Sequence, residues 1–301
     1  MFHSLSLIYT LSVVSSLSGL VSANAQQFLE SPSSWEGGIF PTTNKTCHWV
    51  KFRRNGQQLD MCTHSMGERI SNRIARDGYW KDCAILPRLW NDPADPSIGE
   101  YIEIGGNIGS CVLEMLTFTD AKVSVFEPNP DNLFCMTSTL ERLPSAMRQR
   151  ITVYPFALGA IPGTNSMYTA TNNFGNTVIG KPVHDKPTQQ FHVPFPVQIW
   201  RYDQVISPKT KVKLLKLDAQ GFECNIIRGM GSSVPPLIKT EIAARFLSAQ
   251  ENCSDNIIFK LFHKRNMELF TENNVPLLKP HRTKFDVYDI IARTKATQQS
   301  N

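Results

Sequence analysis

Four carboxylates stand at the ends of apolar runs, and their surroundings suggest one kind of chemistry. Glu103 lies in Tyr101-Ile-Glu-Ile-Gly-Gly-Asn-Ile-Gly109, and Glu127 closes Val123-Ser-Val-Phe-Glu127. Asp218 follows Lys211-Val-Lys-Leu-Leu-Lys-Leu217, and Glu241 lies near the end of Leu237-Ile-Lys-Thr-Glu-Ile242. Tyr101, Ile102 and Ile104 have the β-branched and aromatic character of a buried strand. Gly105, Gly106 and Gly109 come next, then an apolar helical run through Val112, Leu113 and Leu116. A strand, a glycine turn and a helix start gather backbone N–H groups at one point, and glycine lets a bulky ligand approach the backbone. This reads as a nucleotide-cofactor loop.

What the loop lacks narrows the cofactor. The dinucleotide fingerprint requires glycine at its first, third and sixth positions. Counted from Gly105, the third and sixth are Asn107 and Ser110, which disfavours a nicotinamide oxidoreductase. No Gly-Lys-Ser/Thr closes the loop, so a Walker phosphate site is excluded. What remains is acidic-x-Gly-x-x-x-Gly. A carboxylate at Glu103 suits a cofactor with a cationic amino group and would repel pyrophosphate. Glu127, 18 residues after Gly109, suits ribose hydroxyls. Together they point to S-adenosylmethionine. The plain alternative is that Glu103 ends an ordinary strand and the glycines only turn the chain.

Residues 98–245 resemble the FkbM-like methyltransferase family. Val125-Phe-Glu-Pro-Asn-Pro130 is similar to its second-strand signature and Phe156-Ala-Leu-Gly159 to its third-strand end. Leu215-Lys-Leu-Asp-Ala-Gln-Gly-Phe-Glu223 is similar to its fourth-strand motif, Lys-Ile-Asp-Val-Glu-Gly-Phe-Glu. Three positions depart. Glu103 and Gly106 stand where the family usually has Asp and Ala, and Gln220 stands where it usually has Glu. The resemblance implies an α/β, Rossmann-like class I methyltransferase with a mainly parallel seven-stranded sheet and helices on both faces. The loop and the resemblance together nominate Glu103, Gly105, Gly106, Asn107, Gly109, Glu127, Asn129, Ala157 and Asp218 as cofactor contacts. The implied reaction is methyl transfer to a hydroxyl of a sugar or polyketide-like product.

Such a transfer needs the acceptor oxygen in line with the S–CH3 bond, and proximity supplies much of the acceleration. A hydroxyl acceptor also needs a proton sink. Asp218, at the carboxyl end of the fourth strand, is the first catalytic candidate, and Glu241, at the end of the fifth, is the second. For each, the structural alternative is a carboxylate accepting backbone N–H bonds at a turn. His192 qualifies as a base only if its loop folds inward. The rival reading, motivated by Gln220, is a secreted binding protein that keeps the fold without turnover.

The elements that position these groups alternate between strand and helix, as in a parallel sheet with its ligand at the carboxyl edge. Ser65-Met-Gly-Glu68 reads as a capping box for a helix that carries Ile70 and Ile74 and ends at Gly78. By family resemblance this helix crosses the mouth of the cofactor site. Trp80 and Trp90 read best as core aromatics. Asn129 caps a helix begun by Pro130 that buries Leu133, Met136 and Leu140. Ile151 to Leu158 reads as the third strand, and Phe222 and Ile226 share a helix face before Gly229. Residues 160–195, including Thr171-Asn-Asn-Phe-Gly-Asn-Thr177, show little periodicity and read equally as a substrate loop or a surface loop. Met267 to Phe270 and Phe285 to Ile291 read as a closing strand pair.

The expected domains are an N-terminal extension with a capping helix (26–97), the methyltransferase domain (98–293) and a disordered tail (294–301). Within the extension, residues 26–60 read as an extended lead-in, and Asn91-Asp-Pro-Ala-Asp-Pro96 as a turn-rich linker. Residues 1–25 read as a signal peptide: Leu5 to Val21 is mostly apolar and Ala23-Asn-Ala25 offers a cleavage site. An uncleaved signal anchor is the second choice. Asn44-Lys-Thr46 and Asn252-Cys-Ser254 are glycosylation sequons. Localisation is therefore expected in the secretory lumen or outside the cell, which shifts the expected acceptor towards a glycan.

There are seven cysteines. Cys47, Cys62 and Cys83 lie where a bridge would add most, whereas Cys111, Cys135 and Cys224 read as small buried apolar residues. The odd count, with Cys253, leaves a free thiol or an intermolecular bridge. No CxxC or Cys/His cluster suggests structural zinc, and no metal ligands are assigned. The net charge of +5 comes without long Lys/Arg runs, so no nucleic-acid partner is expected. The expected partner is a glycan or small-molecule acceptor, with membrane contact only through an uncleaved anchor.

Overall fold

The computed structural model describes residues 31–65, 67–93, 97–171, 173–184, 186–280 and 287–295. The signal segment, residues 94–96 of the linker and the tail beyond 295 lie outside the described residues.

Residues 31–47 run without regular structure, tied down by Trp35 N–H to the Val153 carbonyl (2.7 Å) and Phe40 N–H to the Thr137 hydroxyl (2.8 Å). The rest of the expected lead-in is instead a hairpin. Asn55 and Gly56 both take positive φ (+48° and +69°), the pair of left-handed residues a tight hairpin turn requires. They join β1 (His48–Arg54) to β2 (Gln57–Thr63) in antiparallel register.

Helix α1 (Arg69–Asp77) follows, capped by Glu68 rather than by Ser65. The Glu68 carboxylate accepts the Ile70 and Ser71 N–H groups itself (3.0 and 2.6 Å). A carboxylate also suits the positive end of the helix dipole, so a simple cap at Glu68 replaces the expected box, three residues later. Gly78 ends the helix at φ +82° as anticipated. A short α2 (Leu86–Trp90) leads to the main sheet.

That sheet is entered through β3 (Glu100–Ile104), α3 (Ser110–Phe118), β4 (Val123–Phe126), α4 (Pro130–Glu141), α5 (Ser145–Arg148) and β5 (Ile151–Tyr154). The expected third strand breaks at Pro155, which has no N–H for a ladder. Its second half, β6 (Ala157–Leu158), joins a different sheet with β7 (Gly163–Ala170), β8 (Asn173–Ile179) and β9 (Phe195–Trp200), in the order β6-β9-β7-β8. Within residues 160–195, the stretch from Gly163 to Ile179 is thus a strand pair and not the expected loop. The chain returns through α6 (Tyr202–Val205), β10 (Val212–Leu217), α7 (Glu223–Gly229), β11 (Leu237–Ala243), α8 (Ala244–Ser248), α9 (Asp255–His263), β12 (Met267–Phe270) and β13 (Val287–Thr294). The start of the expected last strand, residues 285–286, lies outside the described residues.

The main sheet has seven strands in the order β12-β13-β11-β10-β3-β4-β5. The pairings from β11 to β5 are parallel, and β13 runs antiparallel to both its neighbours, so the sheet is mixed. Alternation along the strands divides the core in two. Tyr101, Leu214, Leu237 and Ile291 pack with α2, α3 and α4. Ile102, Leu215, Ile238 and Ile290 pack with α7 and α9.

Three disulfides join Cys47–Cys62, Cys83–Cys111 and Cys224–Cys253. This corrects the apolar reading of Cys111 and Cys224. Each sits in the first turn of a helix, facing a cysteine outside that helix, at Cα separations of 4.9 and 5.8 Å that suit a bridge. Cys135 is free and buried, as expected.

Candidate functional site

A cleft of about 640 Å³ opens at the carboxyl ends of β3, β4, β10 and β11. Helix α1 contributes Ile70 to its wall, and the small sheet contributes Met167, Phe174, Thr177 and Ile179.

The glycine turn is forced by its surroundings. At Gly105 (φ +86°) a Cβ would lie 1.9 Å from the Asp218 carbonyl oxygen, so the turn can press against the end of β10 only without a side chain. Asn107 also has positive φ (+48°), and its side chain accepts the Ile108 N–H at 2.7 Å. Its own N–H goes to Glu127 Oε2 at 2.7 Å, while Asn129 N–H goes to Glu127 Oε1 at 2.8 Å. Burial lifts the Glu127 pKa to about 7, against these two donors and the Asn132 amide, which favour its charge. The carboxylate is thus oriented by the very loop it faces.

Beside it, Glu103 accepts the Tyr101 hydroxyl at 3.0 Å and lies 3.6 Å from Lys216 Nζ. Lys216 is closer to Asp218, at 3.3 Å. Burial opposes the lysine's charge, but Asp218 and Glu103 outweigh it and hold the pKa above its ordinary value. Asp218 also meets a desolvation cost, which Lys216 and the Gln220 amide overcome, so it stays ionised. Glu103, the more distant carboxylate, is pushed up to about 7 by burial.

Gln220, at φ +47°, donates from Nε2 to Asp218 Oδ1 (2.9 Å) and to Glu241 Oε1 (3.2 Å). The amide therefore bridges two carboxylates, where a glutamate would be a third. Burial and the neighbouring Asp218 and Asp289 raise the Glu241 pKa to about 8. Glu223 performs the turn role weighed for the catalytic candidates, accepting the Ala219 and Gly221 N–H groups at 2.8 and 3.2 Å. Asp218 and Glu241 are held by side chains and open to the cleft.

Of the nominated residues, Glu103, Gly105, Gly106, Asn107, Glu127, Ala157, Asp218 and Glu241 line the cleft together. Gly109 and Asn129 stand behind its wall. Gly109 (φ +87°) begins α3 and packs on Met136. Asn129 caps α4 through Asp131 N–H (2.9 Å) and donates to the Thr169 hydroxyl (3.0 Å). His192 is exposed, its ring 5.7 Å from that of Phe174 and not on the cleft wall. Trp90 is core, but Trp80 lines the cleft.

Lys216, Asn132 and Arg245 also stand on the cleft wall and were not among the candidates, whereas Phe174 belongs to the stretch weighed as a substrate loop. Lys216 had a signal: a lysine flanked by leucines in a buried strand needs an acidic partner.

A mixed α/β sheet with carboxylates at adjoining strand ends and a glycine turn beside them is an arrangement that suits a nucleotide cofactor. The sequence profile of the methyltransferase FkbM domain matches residues 103–266, more than half of the chain. The chain belongs to that family. No curated protein matches the sequence. Among solved structures, the glycopeptide N-methyltransferase MtfA is similar at 8% identity and a TM-score of 0.40, covering 70% of this chain and 96% of that one. The N-terminal domain of EvdMO1, solved in the presence of SAH and D-fucose, is similar at 11% identity and a TM-score of 0.42, covering 82% and 92%. Precorrin-6y C5,15-methyltransferase from Geobacter metallireducens is similar at 10% identity and 0.37, covering 71% and 87%. Likenesses this distant carry no substrate across to this chain.

Proposed function

We propose that the protein is an S-adenosylmethionine-dependent O-methyltransferase acting in the secretory pathway on a hydroxyl of a glycan or small natural product. The observation that carries this reading is the Gln220 bridge between Asp218 and Glu241, set in the same cleft as the cofactor carboxylates.

The residues present fit the cofactor. The cleft volume falls within the roughly 300–1,000 Å³ of small-molecule sites. Glu103 and Glu127 are buried carboxylates on adjoining strand ends, both raised to about 7, and each gains from what that ligand brings. Glu103 would hold the cationic amino group and Glu127 the ribose hydroxyls, with Ala157 leaving room beside them. Bound S-adenosylmethionine supplies an electrophilic methyl group on a sulfonium centre. The acceptor hydroxyl must lose its proton, and Glu241 suits that task. At about 8 its pKa makes it a stronger base than an ordinary carboxylate, close to working pH. Gln220 donates to Oε1 of Glu241, which leaves Oε2 to take the proton. Asp218 keeps its negative charge beside Lys216 and supports a cationic ligand.

Gln220 thus has a defined task in the site, which favours turnover over a non-catalytic binding role. Three disulfides and the exposure of both sequon asparagines, Asn44 and Asn252, support a lumenal compartment and hence a glycan acceptor. Calorimetry with S-adenosylmethionine and S-adenosylhomocysteine tests the cofactor. Micromolar binding abolished by Glu127→Ala is expected, and methyl transfer to a panel of glycan hydroxyls then identifies the acceptor. A folded protein that binds neither ligand overturns the reading.

A further inference from the structure

We infer that His64, supplied by the N-terminal hairpin, is a positioning residue for Glu127 and acts on it through Asn132. The inference rests on the reading of the cleft as a cofactor site.

His64 follows β2 and is buried. Its ring stacks on Phe174 of the small sheet, with centroids 4.0 Å apart. Nε2 lies 2.9 Å from Asn132 Oδ1 and Nδ1 lies 3.6 Å from the Cys135 sulfur. Asn132, on α4, lines the cleft with Glu127, and its side chain favours the charged form of that carboxylate. The direction of every proton in this chain follows from its end. Both Glu127 oxygens accept backbone N–H bonds, from Asn107 and Asn129, so the carboxylate presents acceptors and Asn132 turns its NH2 group to it. Its oxygen then faces His64, which must donate from Nε2. Nδ1 is left bare, and the Cys135 thiol is the donor beside it. All the donors point towards Glu127.

The balance around the ring opposes a second proton on it. Burial lowers the His64 pKa, and Lys45, 5.1 Å above the Phe174 ring on which His64 stacks, adds repulsion. The Asn132 hydrogen bond and the Glu68 and Asp131 carboxylates act the other way and do not offset the burial. Burial likewise raises the Cys135 pKa to about 12, so the thiol keeps its hydrogen. The hairpin that delivers His64 precedes the family segment at 103–266 and is locked at its base by Cys47–Cys62. The N-terminal extension therefore completes the cofactor site from outside the matched domain.

The test is calorimetry of the full protein with S-adenosylhomocysteine. His64→Phe keeps a ring against Phe174 and removes the donor. It is expected to weaken binding about tenfold, the effect of one hydrogen bond in a charge-assisted chain. His64→Gln restores an N–H donor and is expected to recover most of the affinity. In an Asn132→Ala background, His64→Phe is expected to change affinity no further, because its route to Glu127 is gone. Equal effects in both backgrounds, or no effect in either, overturn the proposal. Imidazole nitrogen NMR on the unsubstituted protein gives a readout independent of the variants. A neutral ring protonated at Nε2 is expected, and the Nδ1–H tautomer overturns the proposal. An unsubstituted protein that binds no S-adenosylhomocysteine overturns the cofactor reading itself, and this inference with it.

Discussion

Gln220→Glu would add one negative charge at the centre of the site. The amide nitrogen lies 2.9 Å from Asp218 Oδ1 and 3.2 Å from Glu241 Oε1. Replacing it removes a donor to each carboxylate, about 1.5–3 kcal/mol per bond to a charged group. It also sets two carboxylates against each other. At an effective dielectric constant of about 20, unit charges roughly 3.2 Å apart repel by about 5 kcal/mol. Keeping one proton on an ordinary glutamate at neutral pH costs only about 3.7 kcal/mol. The variant therefore holds a proton instead of a third charge, and Glu241, already raised to about 8, is where it sits. The lost donor alone shifts Glu241 by about one unit, and a third of the repulsion adds about another. The rise of kcat with pH is thus expected to move from near pH 8 to about pH 10, lowering kcat at pH 8 roughly fiftyfold. Gln220→Ala, which loses the donors without adding charge, is expected to shift the profile by about one unit. Profiles of kcat against pH at saturating substrates decide the matter. A Gln220→Glu enzyme with an unshifted profile refutes Glu241 as the base.

Three further outcomes are expected. Glu103 and Glu127 have pKa values of about 7, so a cationic ligand binding beside Glu103 must displace a proton. Affinity for S-adenosylmethionine should rise from pH 6 to 8, with proton release visible when calorimetry is repeated in buffers of different ionisation enthalpy; binding without proton release contradicts this. Gly106→Ala places a Cβ 2.3 Å from Val125 Cγ2 and should cost about 1–3 kcal/mol in denaturant unfolding, partly recovered by Val125→Ala. A neutral single variant would show that β4 yields freely. Removing the Cys224–Cys253 bridge, which spans 29 residues, with the double Ser variant should cost roughly 3–4 kcal/mol. Unchanged unfolding would mean that α7 and α9 hold that corner without it.

The parts of the molecule legible in its sequence are those whose physics is local. Tyr101 to Gly109 states a strand, a turn and a helix start within nine residues, and Asn129-Pro130 states a cap and a first helical position. The small sheet was illegible because β7 and β8 keep polar residues on both faces. Asn165, Thr169, Asn176 and Thr177 interrupt the alternation by which a strand is recognised, since one side of this sheet faces a polar cleft. The pairing of Cys111 and Cys224 was illegible for a different reason. Helical periodicity marks a position as buried, and a buried cysteine looks the same from sequence whether its neighbour is a leucine or another cysteine 28 or 29 residues away. The hairpin, by contrast, was announced by Asn55-Gly56 between Trp49, Val50, Phe52 and Leu59, Met61, and was obscured by the Pro- and Ser-rich stretch before it. Gln220 is the most instructive case. As a departure from the family's motif it reads as a damaged site, because the sequence shows what is missing and not what surrounds it. Set between Asp218 and Glu241, the same amide is the group that lets two half-buried carboxylates share one cleft, one kept ionised and the other raised towards working pH.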